Sequence, residues 1–139
     1  MTSDARLLCG ILLITVPTIQ YGGYFLLGML RNRTPGYMDN PLRQNLFRAG
    51  HAHAGVLVLL SLVCQIVADS AALSPFWLWV GRLGAPLAAI LMPMGFFFSV
   101  LSPQAERPSA AINLTYVGAV CLAIGVLILG VGLLRSAMA

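Results

Sequence analysis

Lysine is absent from this chain, and charge of either sign is scarce: its 139 residues carry eight arginines, four carboxylates and two histidines. Only 9% of the residues are charged, whereas a soluble domain has roughly 25%. That shortfall excludes an ordinary water-soluble surface and points to lipid as the solvent. The arginines form no dense basic run, which excludes a nucleic-acid footprint. Cysteine is limited to Cys9, Cys64 and Cys121, each inside an apolar stretch and none in a CxxC or other metal-type spacing. They read as small apolar residues.

What is abundant is apolar: 59% of the chain is hydrophobic. A membrane span needs about 20 predominantly apolar residues, and four stretches qualify, at about 7–30, 46–68, 83–101 and 110–134. The expected fold is therefore all-α, an integral membrane four-helix bundle forming one domain over 1–139. The first stretch, Leu7 to Leu30, is too long for the apolar region of a cleaved signal peptide and is taken as a span. The second helix has a natural start at Pro41, a favoured first-turn residue. The third apolar segment, Phe76 to Leu101, is interrupted by Arg82, with Trp77 and Trp79 ahead of it as an interfacial belt, which leaves about 83–101 as its spanning part. In the fourth, Ala111, Gly118, Gly125 and Gly132 recur every seven residues. Such a stripe lets backbones approach closely, either within the chain or against a second molecule.

Arginine placement gives an orientation. Loops one and three, with the adjoining helix ends, hold Arg31, Arg33, Arg43, Arg48 and Arg107, against Arg6, Arg82 and Arg135 on the other side. The positive-inside rule would put the loops in the cytoplasm.

The candidate site is Arg48-Ala49-Gly50-His51-Ala52-His53-Ala54-Gly55. His51 and His53 are the chain's two histidines, and an ionisable residue inside a span is a functional candidate by default. Neutral imidazole ligates metal ions and haem iron. At about 100° per residue the two rings lie roughly 200° apart around a helix, so they cannot easily share one metal. A helical pair chelating one zinc would be spaced i, i+4. The i, i+2 spacing suits a helix that stands between two sites and gives each one ligand. Gly50 and Gly55, with the alanines between them, leave the helix faces bare for a flat macrocycle. Arg48 and Arg43, toward the membrane surface, are candidate partners for carboxylates such as haem propionates. Gln20, Gln65, Asn113 and Thr115 are polar too, and each reads as a helix–helix hydrogen bond. Met29, Met92 and Met94 read as packing.

Four spans with Gly50-His51-Ala52-His53 early in the second resemble one repeat of the catalytic subunit of haem-copper oxidases and nitric oxide reductases. That subunit arranges twelve helices as three four-helix arcs, and one arc carries His-x-His serving two haems. The resemblance implies a homotrimer forming a twelve-helix ring, with haem b between His51 of one protomer and His53 of the next. It implies cytoplasmic termini, against the arginine count, which loses weight if Arg43 and Arg48 serve propionates. The expected location is the cytoplasmic membrane of a prokaryote. The further histidines of the family's copper site are absent, so the resemblance implies an electron carrier, with a quinone or a redox protein as partner, rather than a complete oxidase. Two other function classes stay open: a protein handling protons or a copper or zinc ion, and a small accessory subunit docked through its glycine stripe.

Overall fold

Thr2 starts the first helix: its hydroxyl accepts the Ala5 N–H at 3.3 Å, and Asp4 sits in the first turn, where the helix dipole favours negative charge. In the computed structural model, which describes residues 1–139, this helix, α1, runs Ser3–Arg31. It continues through Pro17. The next helix, α2, spans Pro41–Ala68, with Pro41 in its first turn and the Asn40 side chain accepting the Arg43 N–H at 3.1 Å. Helix α3 covers Pro75–Phe98. A single 3-10 turn, Ala110–Ile112, leads into α4, Asn113–Ala137. All four helices are long and apolar enough to cross a membrane.

These helices differ in extent from the apolar stretches, most of all in α3. It runs from Pro75 to Phe98, so it takes in the Phe76–Arg82 segment ahead of the expected span and stops three residues short of Leu101. Arg82 does not break the helix: it lies within it and is 2% exposed. Its charge is met by Asp69 just beyond α2, with Nη2 donating to Oδ1 at 2.5 Å. Nη1 donates to the Gln65 side-chain oxygen at 3.2 Å. Pro86 lacks the N–H that would bond the Arg82 carbonyl four residues back, and Gln65 Nε2 donates to that carbonyl instead at 2.8 Å. Asp69 also accepts the Thr2 N–H and hydroxyl at 2.7 and 2.8 Å, so the start of α1 is tied to the same cluster.

Neighbours in sequence are neighbours in space. Helix α3 packs closely on α4 and on α2, whereas α1 rests on α2 and has no substantial contact with α4. The closest approach is at Gly84 and Gly125: a methyl group on Gly84 would stand 2.6 Å from the Gly125 Cα and the Cys121 carbonyl. Gly118 meets Met92, and Gly132 meets Leu73 and Ala71. Three members of the seven-residue stripe are thus used inside the chain.

The ends of α1 and α3 and the start of α2 are joined by a small core of Leu26, Met29, Tyr37, Phe47 and Val100. Asn40 Nδ2 donates to the Pro103 and Ala105 carbonyls at 3.1 and 2.9 Å, tying loop one to loop three. Gly36, with φ of 73°, lets the backbone turn tightly against Pro103.

Candidate functional site

The Gly50-His51-Ala52-His53 segment lies inside α2, between α1 on one flank and α3 on another. The His51 imidazole is half-buried, and its polar edge rests on α1: a methyl group on Gly23 would stand 3.1 Å from both Cε1 and Nε2, and one on Gly22 would stand 3.6 Å from Nδ1. Two consecutive glycines in an otherwise bulky helix are what make room for the ring. The imidazole forms no hydrogen bond within the chain.

His53 faces differently. Its Nδ1 lies 2.7 Å from the Ala49 carbonyl, one turn earlier. A carbonyl only accepts, so Nδ1 carries a proton, and in the neutral imidazole the lone pair is on Nε2. The ring packs beside Phe96 of α3, with centroids 5.0 Å apart and planes tilted by 45°. The opposed directions expected from the i, i+2 spacing are therefore those adopted: one ring to α1, the other to α3.

On the His51 flank, a groove of about 770 Å³ opens between α1 and α2. Its walls are apolar (Val16, Ile19, Val56 and Leu59), and its floor is the small residues Gly23, Ala52 and Gly55. Gln20 and His51 are the hydrogen-bonding side chains that border it. Gly55 would meet nothing within 4 Å if it carried a side chain, so that face is open as expected. Gly50 is not open. A methyl group there would stand 3.0 Å from the Phe97 ring, so its smallness serves the contact between α2 and α3.

The two arginines have separated roles. Arg43 donates Nε to the Val100 carbonyl at 3.0 Å, Nη1 to Gly36 at 3.1 Å and Nη2 to Leu101 at 3.3 Å. Its guanidinium also lies 4.9 Å from the centre of the Phe47 ring. It clamps the loops and caps the carbonyls at the end of α3. Arg48 is exposed, and its one contact is a 3.3 Å hydrogen bond to Gln44 on its own helix.

No three residues among His, Cys, Asp and Glu gather where they could hold a metal ion. The other polar groups in the helices are structural where they are paired: Gln65 binds Arg82, and Thr115 Oγ1 donates to the Met92 carbonyl at 3.3 Å. Met29 and Met92 are buried in packing. Sequence reasoning missed the glycine pair that seats His51, whose signal was Gly22-Gly23 itself, and Phe96, which carries no local signal. No family model, curated protein or solved structure matches this chain.

Proposed function

We propose that the chain is a membrane haem b protein that transfers electrons, with His51 and His53 as the residues that would hold the haem iron, on opposite flanks of α2. The observation that carries this reading is the 2.7 Å contact between His53 Nδ1 and the Ala49 carbonyl, which in the neutral ring selects the tautomer with the proton on Nδ1 and the lone pair on Nε2. A second ring nitrogen held by a carbonyl is the usual outer support of a metal-ligating histidine. Room for the group is present on the His51 flank. The His51 groove is within the roughly 300–1,000 Å³ range of small-molecule and cofactor sites, and it is floored by Ala52 and Gly55. Arg48, one turn toward the loop side of His51, is exposed and lacks a carboxylate partner, so it is the arginine left to meet a propionate. Arg43 already gives its three nitrogens to carbonyls.

A bound haem supplies one-electron exchange. The chain's share is to orient two imidazoles, hold one of them in a fixed tautomer and keep water out with apolar walls. Because the rings diverge, a bis-histidine site needs His51 of one protomer and His53 of another. Three copies in a twelve-helix ring satisfy every histidine, and a quinone or a redox protein then exchanges electrons with the assembly. Two readings lose ground. A copper or zinc ion held within the chain would have one histidine at most, since the two rings diverge, and the glycine stripe of an accessory subunit is occupied by α3 and Leu73.

The test is an oxidised-minus-reduced absorbance spectrum of protein purified in detergent after haem-supplemented expression. About one low-spin haem per chain is expected, lost in both His51→Ala and His53→Ala. A colourless wild-type protein would sink the haem reading, and loss in only one variant would sink the sharing of ligands.

A further inference from the structure

A second groove, of about 740 Å³, runs along α1 on the loop side of the molecule. Arg31, Asn32 and Thr34 line its loop-side end, and Leu27, Phe25, Tyr24 and Tyr21, all exposed, line it further along α1. Tyr21 is ten residues before Arg31, about 15 Å along a helix, so the groove reaches from the membrane surface well into the span. No carboxylate lines it. The neighbouring loop groove, by contrast, contains both Asp39 and Glu106. The chain's ion pairs join Asp69 to Arg82 and to the N-terminal amine. Arg31, exposed on the last turn of α1, is left without a counter-ion. Arg43 adds a second positive charge to the wall.

We propose that this groove binds one phospholipid with an anionic headgroup, its phosphate on Arg31 and an acyl chain along Leu27 and Tyr24, four and seven residues earlier on the same face of α1. A guanidinium forms paired hydrogen bonds with phosphate oxygens, stronger than those of neutral donors. The Asn32 amide and Thr34 hydroxyl are further donors at the same end and make no side-chain hydrogen bond within the chain. Basic pockets between membrane helices select anionic headgroups. The apolar wall below the cation is what distinguishes this site from one for a soluble phosphate, which would need no such surface. The proposal is independent of the haem reading, because neither His51 nor His53 borders the groove.

The test is native mass spectrometry of delipidated protein in detergent, with palmitoyl-oleoyl phosphatidylglycerol, the matching phosphatidylcholine, or inorganic phosphate added. Wild type is expected to retain phosphatidylglycerol several-fold better than phosphatidylcholine. Arg31→Gln should lose that preference, and Arg31→Lys should recover part of it. Arg135→Gln, a last-turn arginine at the other end of the molecule, should keep it in full. Equal retention of the two lipids, or an undiminished preference in Arg31→Gln, overturns the proposal. Inorganic phosphate that displaces the lipid at equal concentration also overturns it, by assigning the site to a soluble anion.

Discussion

Asp69 and Arg82 show how a charge is kept inside a helix bundle. A guanidinium buried without a partner is strongly destabilising; here Arg82 has Asp69 and Gln65 on separate nitrogens. The same contact acts back on the acid. The Arg82 hydrogen bond first, then those from Thr2, hold the Asp69 carboxyl well below the usual carboxylate range. A depressed folded-state value means that the stabilisation is complete above the unfolded value of about 3.9. It is lost as pH falls from there through the folded value. Asp69→Asn is therefore expected to be less stable than wild type near neutral pH, with the gap narrowing on acidification below about pH 4. Thermal unfolding of both proteins across that range checks this. A gap independent of pH would show that the carboxylate charge is not what matters. At this scale the sequence located the polar residues but not their partners: Arg82 read as an interruption because its counter-ion is on another element.

At the scale of helices, glycine is the residue whose role depends most on context. Gly84 and Gly125 bring α3 and α4 into backbone contact, and neither backbone can yield to an added methyl group. Overpacking of this kind costs about 1–3 kcal/mol, so Gly84→Ala should lower the unfolding temperature clearly. Gly130 is on the same helix as Gly125 but has nothing within 4 Å. Gly130→Ala should leave stability unchanged or raise it by up to about 1 kcal/mol, the difference in helix propensity. Similar shifts in both variants would assign the effect to helix propensity instead of contact. The seven-residue spacing in α4 made the stripe visible in the sequence. It did not say whether α3 or a second molecule covers it, because both would require the same small residues.

For the whole molecule, the open order of the helices matters. Helices α1 and α4 are not joined across the chain, and the two imidazoles leave α2 in different directions. The proposed ring closes that order with other copies. Native mass spectrometry of haem-loaded protein should then show three chains carrying three haems. A single chain that retains a low-spin haem would rule out ligands shared between protomers.

The sequence by itself determined that there are four apolar helices and that two histidines diverge from one of them. Both follow from local rules: lipid requires each span to satisfy its own backbone hydrogen bonds, and the helical repeat sets the angle between residues two apart. Only the tertiary structure decided that His51 rests on Gly22 and Gly23, that His53 lies beside Phe96, and that Arg43 serves the loops. Each of those outcomes joins residues far apart in the chain. Hydropathy and helical period describe one segment at a time, and they hold no information about which segments meet.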